Sequence, residues 1–148
     1  NEEEILLVKA AALFHDTGFL IGYENHEESS AELAREILQR YDFHEDQIEE
    51  IASLIYVTRE DARPRNHLEA ILKDADLDYL GRSDFIPVSQ SLYHEMQKFN
   101  GKMSPREWTK KQIHFIENHK YYTQTAKEKR EVEKEKQLAE LRDLLRHQ

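Results

Sequence analysis

The sequence predicts an all-α protein, a compact helical bundle followed by a long charged helix, and three observations carry that expectation. Only four glycines and three prolines punctuate 148 residues, while Glu, Leu, Ala, Lys and Arg, all good helix formers, are abundant. Apolar residues recur at helical spacing, as in Ile48, Ile51, Ala52 and Ile55. No linker rich in Ser, Gly or Pro and no internal repeat interrupts the chain, whose length suffices to bury a real core. The expected organisation is a helical domain over 1–120 and a charged C-terminal helix over 121–148, packed on it or projecting from it.

Each element has a local reason. A first helix is expected from Glu2 to about His15, with three acidic residues in its opening turn, where the helix dipole favours them. Gly18 and Gly22 break it, and 18–25 reads as a loop. A second helix, roughly Glu27 to Tyr41, turns Ala31, Leu33, Ala34, Ile37 and Leu38 inward. The third runs to about Val57, and the polar segment 58–66, with Pro64 between two arginines, is a loop. A fourth helix, about His67 to Leu80, closes at Gly81 as a C-cap. The fifth spans Asp84 to Phe99 with Pro87 in its first turn and ends at Asn100-Gly101. Ser104, Pro105 and Glu107 form the cap, first position and capping-box glutamate of a sixth helix ending near Asn118. From Thr123 to Gln148 charges alternate, with seven Lys/Arg and six Asp/Glu after residue 126, and apolar positions are sparse before Leu138, Leu141, Leu144 and Leu145. That pattern reads as a solvated helix or a projecting, partner-binding arm. It could pair with a copy of itself to give a homodimer, although so few leucines do not establish a heptad.

Composition also excludes functions. A formal charge of −9 without a basic face argues against general nucleic-acid binding, because phosphates must be neutralised by cations. A nucleotide or small phosphoester remains compatible, since a bound cation and one or two arginines offset the local field. The absence of cysteine removes disulfides, thiolate metal sites and a catalytic thiol, and fits a cytoplasmic location without demanding it. No run approaches the roughly 18 apolar residues of a membrane span, and there is no signal-peptide pattern.

The chemistry gathers at two places. His15 and Asp16 end an apolar helical run, Ala11-Ala12-Leu13-Phe14, and are followed by Thr17-Gly18. Neighbours on a helix point about 100° apart, so the two can flank one point only where the backbone begins to turn, which Thr17-Gly18 provides. Imidazole and carboxylate together suit a borderline divalent ion such as Mn, Fe, Co, Ni or Zn, with water completing the shell. The second place is Leu72-Lys73-Asp74-Ala75-Asp76-Leu77-Asp78-Tyr79-Leu80. Asp76 lies four residues from Leu72 and from Leu80, beside Ala75 and Tyr79, on the stripe expected to face inward. Asp74 and Asp78 sit nearly opposite and read as surface charges. A lone carboxylate on an apolar stripe is costly unless paired or metal-bound, so Asp76 is the better ligand candidate.

These residues resemble the HD-domain superfamily of metal-dependent phosphohydrolases, and the architecture expected is accordingly an HD-domain-like bundle. The resemblance rests on Leu13-Phe14-His15-Asp16-Thr17-Gly18, on Asp74-Ala75-Asp76-Leu77, and on the intervening Glu24-Asn25-His26-Glu27-Glu28-Ser29-Ser30-Ala31. Leu54-Ile55-Tyr56-Val57-Thr58 and Asp78-Tyr79-Leu80-Gly81-Arg82 look like a subgroup of bacterial phosphohydrolases, so that the likeness covers roughly residues 1–120. It implies that His15, Asp16 and Asp76 are three of four metal ligands. The fourth would be a histidine on a preceding helix, so the sequence reads as lacking an N-terminal segment and its metal site as weakened or incomplete. Relatives with two metals carry further histidines near the end of the helix that here reads Tyr56-Val57-Thr58. Those are absent and His26 alone matches the first of them, which implies one divalent transition metal ion and a substrate-facing His26.

The resemblance implies hydrolysis of a phosphomonoester, nucleotide or cyclic nucleotide by metal-activated water. Asp16 binds the ion and orients or deprotonates the water, and His26 protonates the leaving oxygen. Lys73, Arg63 and Arg82, with Arg59 and Arg65, are the candidate cations for the phosphate. Glu69, off the inner stripe of the fourth helix, could instead hold a loop arginine. The competing class is a non-catalytic ligand-sensing module that keeps the fold and signals through the charged C-terminal helix.

Overall fold

The computed structural model describes residues 1–148, the side chain of residue 100 excepted. It is all-helical, with no strand among the described residues: α1 (Glu2–Phe14), a 3₁₀ turn (Thr17–Leu20), α2 (His26–Leu38), α3 (Glu45–Val57), α4 (His67–Asp76), a second 3₁₀ turn (Asp78–Gly81), α5 (Phe85–Asn100), α6 (Pro105–Asn118) and α7 (Gln124–His147). No helix is long and apolar enough to cross a membrane among the described residues. The chain gathers into two units, Asn1–Asp76 and Leu77–Gln148.

In the first unit α1 starts as its sequence dictates. Asn1 Oδ1 accepts a hydrogen bond from the Glu4 amide at 2.9 Å, and the Glu2–Glu4 carboxylates sit at the positive end of the helix. α3 contributes more of the core than any other helix, with Ile48, Ile51, Ala52 and Ile55 buried, as the i, i+3, i+4, i+7 spacing requires, and Leu54 buried beside them. Around it pack Leu7, Ala11 and Phe14 of α1, Ala31, Ala34 and Leu38 of α2, and Leu72 of α4. Each isoleucine taken wholly out of water, Ile51 and Ile55 among them, stabilises the unit by roughly 1.5–3 kcal/mol. The two alanines of α2 leave no side-chain bulk between helices, so α2 lies close against α3.

Three expectations about this unit change. The segment after His15 is not all loop but contains a 3₁₀ turn, and α2 stops at Leu38 rather than Tyr41, its end tightened by bonds from the Arg40 and Tyr41 amides to Ile37 and Leu38 carbonyls. α4 ends at Asp76, four residues early. The inward stripe drawn through Leu72, Ala75, Asp76 and beyond therefore does not run as one face: Lys73 and Asp74 are buried, Ala75 is exposed and Asp76 is half-buried at the helix terminus.

In the second unit the Ser104 amide and hydroxyl and the Glu107 amide and carboxylate close the expected capping box of α6, at 2.8 Å and 3.2 Å. α7 is not merely a solvated or projecting helix. Leu138 and Leu141 are buried with Leu80, Phe85, Ile113 and Ile116, and Leu145 packs against the same cluster. One turn back, the Lys134 ammonium donates to the His119 carbonyl at 3.2 Å and lies 5.0 Å over the Tyr121 ring. Gly81 is more than a helix stop: a Cβ there would stand 2.3 Å from the Arg130 carbonyl oxygen, so only glycine lets α7 approach the 3₁₀ turn. Asp78 is likewise no free surface charge, since its Oδ1 accepts from Arg130 Nε at 2.6 Å.

Candidate active site

The end of α1 brings together residues that are far apart in sequence. His15 is the C-cap of α1, still in the right-handed helical region, and Asp16 follows with φ −105° and ψ 0°, where the chain leaves the helix. This change of direction lets the two adjacent side chains address one point. The His15 Nδ1 donates to the Ala12 carbonyl at 2.8 Å. A carbonyl can only accept, so Nδ1 carries a proton and Nε2 is the nitrogen turned to the site. It lies 3.1 Å from Asp76 Oδ1 and 3.2 Å from Asp16 Oδ2. His26, the first residue of α2, places Nε2 3.6 Å from the other oxygen of Asp16 and 3.4 Å from Glu27 Oε1.

Two carboxylates facing one imidazole set its charge. Hydrogen bonding to Asp16, then to Asp76, outweighs the loss of solvent and pushes the His15 pKa up to about 10. The same contact with His15 holds Asp16 below the ordinary carboxylate range. The imidazolium thus supplies the positive charge that the two carboxylates demand.

The turn carrying these groups is rigidly built. The buried Ser30 hydroxyl donates to the His15 carbonyl at 2.7 Å and accepts from the Gly18 amide at 2.8 Å, tying α2 to the turn. Thr17 Oγ1 donates to the Phe14 carbonyl at 2.7 Å, satisfying one of the orphan acceptors at the α1 terminus. A Cβ on Gly18 would stand 1.9 Å from the His26 carbonyl oxygen, so this glycine sets how closely the turn meets α2. Phe19 stacks on the His26 ring, centroids 3.8 Å apart and planes 16° from parallel, which fixes the imidazole plane. Phe19 is absent from the residues singled out in the sequence, and Glu27 and Ser30 stand there within the 24–31 motif without a role of their own. Ser30 was traceable, because it shares one face of α2 with His26 and Ala34 at four-residue spacing.

The candidate phosphate cations are placed differently. The buried Lys73 ammonium donates to the Val57 carbonyl at 2.9 Å and to the Arg59 carbonyl, closing the end of α3, and desolvation lowers its pKa. Arg59 pairs with Asp61 at 3.2 Å. Arg65 is held by Glu69, as the sequence suggested for a loop arginine, with the Arg65 amide donating to Oε2 at 2.6 Å. Arg63 is exposed on the same loop. Arg82 belongs to the second unit, where its Nε donates to Asp84 at 2.9 Å.

The model of the HD domain matches residues 1–78, the stretch that contains every one of these clustered side chains. The chain belongs to the HD-domain family. The match stops two residues after Asp76, short of the 120 residues over which the resemblance was drawn. No match was found among the curated proteins or among the solved structures. Membership places the chain in the superfamily of metal-dependent phosphohydrolases, whose domains generally bind divalent metals. Among the described residues no group of three His, Asp or Glu side chains is already arranged to hold a metal ion. The donor set is nevertheless suitable in kind: one imidazole nitrogen with its tautomer fixed by a backbone carbonyl, and two carboxylates, the mixture that borderline divalent ions accept.

Proposed function

We propose that this HD domain is a metal-dependent phosphohydrolase acting on a phosphomonoester, nucleotide or cyclic nucleotide, with His15, Asp16 and Asp76 holding one divalent ion. The observation that carries the reading is the meeting of His15 Nε2 with Asp16 and Asp76 at 3.2 and 3.1 Å. Ligands bound about 2.1 Å from one ion stand roughly 3.0–3.4 Å from each other, and both His15 contacts fall in that range. An ion there would take the place of the proton on His15.

When bound, the ion supplies a lowered pKa for water and neutralises charge on a phosphoryl oxygen. The protein groups do the rest. Asp16 offers one carboxylate oxygen towards His15 and the other towards His26, so it can orient a water molecule and accept its proton. His26 would donate a proton to the leaving oxygen, a role that the fixing of its ring plane by Phe19 supports. Lys73 is engaged by two carbonyls and acts at longer range, as a buried positive charge three residues from Asp76.

A sensing module would be favoured by a charged arm free to signal. α7 instead buries Leu138 and Leu141 within its own unit, which removes that support. The hydrolase reading is tested by assaying the protein with added Mn against panels of phosphomonoesters and phosphodiesters. Metal-dependent turnover that is lost on Asp16→Ala is expected; a silent panel with metal bound would turn the reading to ligand sensing.

A further inference from the structure

A second constellation in the first unit lies on the face built by α2, α3 and the 58–66 loop. A cavity of about 410 Å³ is lined by three guanidinium groups, those of Arg35, Arg63 and Arg65, against the Ser53 and Tyr56 side of α3. Two carboxylates, Glu49 and Glu69, also reach it, so the cavity carries an excess of positive charge in a chain of net charge −9.

Glu69 explains how the cavity is built. Its side chain is 2% exposed, whereas the Arg65 side chain it holds is 74% exposed. Burying a carboxylate costs several kcal/mol, which a partner standing in water repays poorly. Yet Glu69 commits both oxygens to Arg65: Oε1 accepts from Nη2 at 2.7 Å and Oε2 from the backbone amide at 2.6 Å. Ser53 Oγ donates to the same carboxylate at 3.2 Å. This network adds little to stability that an apolar residue would not supply, but it fixes where a guanidinium points. Arg35 is fixed too, by paired bonds to Glu49 at 2.7 and 2.9 Å, and stands 5.9 Å from the centre of the Tyr56 ring. Arg63, by contrast, has no hydrogen bond or ion pair among the described residues, which leaves all its donors for a ligand.

We propose that this cavity is an anion site, separate from the metal centre, that takes the phosphate group of a small molecule between Arg63 and the preset Arg35 and Arg65. Arg63 can offer its whole fork to a pair of phosphate oxygens, and Arg35 and Arg65, whose Nε and Nη2 are taken by Glu49 and Glu69, add charge and their remaining Nη1 donors. The volume admits a phosphate with part of the molecule that bears it.

The test is a titration of metal-free protein with inorganic phosphate, followed through the side-chain Nε–H resonances of arginine and by calorimetry. Saturable shifts at Arg65 and Arg35 are expected, retained in Asp76→Asn and weakened about tenfold in Arg63→Gln, the loss of one charge-assisted contact. Arg63 is exposed, so its replacement leaves the fold intact. No saturable binding, equal binding in Arg63→Gln, or loss of binding in Asp76→Asn would each overturn the proposal, the last by placing the anion at the metal centre. Because no metal is added, failure of the hydrolase reading would leave this result standing.

Discussion

His15 and Asp76, 61 positions apart, meet at 3.1 Å where α1 and α4 both end. Neither residue is in the middle of a helix. Each uses the last turn of its element to project a side chain that a continuing helix would direct elsewhere, and the site is the product of two terminations. That is why Thr17-Gly18 on one side and the early stop of α4 on the other matter as much as the ligand types.

Gly18→Ala tests the first termination. The added methyl would meet the His26 carbonyl at 1.9 Å, and backbone cannot give way as a flexible side chain can. A destabilisation of about 1–3 kcal/mol is expected, the usual cost of overpacking. Chemical denaturation measures it, with loss of metal affinity alongside because the turn carrying Asp16 must shift. Gly22, beside which a Cβ meets nothing within 4 Å, is the control, and Gly22→Ala should leave both unchanged.

His26→Ala separates chemistry from coordination. The imidazole stacks on Phe19 and contacts Asp16 without entering the His15, Asp16 and Asp76 set. Turnover should fall by roughly 10²–10⁴-fold, the usual contribution of a general acid, while metal content measured on the same sample changes little. Unchanged turnover would remove His26 from the mechanism.

Glu69 makes the first unit sensitive to acid. Burial by itself would raise its pKa, but the side-chain and backbone hydrogen bonds from Arg65 together outweigh burial and leave it lowered. A carboxylate with a depressed folded-state pKa contributes stability that is present above its unfolded value, about 4.5, and is lost as pH falls through the folded value. Melting temperature should therefore drop as pH falls below about 4.5, and Glu69→Gln should flatten that part of the profile. At neutral pH Arg65→Ala should lower the melting temperature more than Glu69→Gln, because it leaves a buried carboxylate without its cation. The reverse order would mean that the pair is not what keeps Glu69 ionised.

Much of this was readable in the residues themselves. Helical spacing located α3 and its buried isoleucines, and the Ser104, Pro105 and Glu107 signals located the start of α6, because both depend on neighbours within one turn. The convergence of His15, Asp16, His26 and Asp76 was legible only through order and motif. What escaped were contacts made by segments far apart in the chain. Nothing local says that Ser30 bridges His15 and Gly18, that Gly81 is small for the sake of Arg130, or that Lys73 caps α3. The charged α7 misled for a related reason: its two buried leucines are few, and most of its length is polar, yet two leucines meeting Ile113 and Ile116 suffice to seat it.

The most direct test of the metal centre is calorimetric titration of Mn into the metal-free protein beside Asp76→Asn, with circular dichroism on both. Asp76→Asn keeps the size and shape of the side chain and removes its charge. Saturable binding near one ion per chain in the parent protein, abolished or weakened by about 1.4 kcal/mol or more in the variant at unchanged helicity, is the predicted result. Equal Mn affinity in the two proteins would contradict the assignment of Asp76, and with it the site as described.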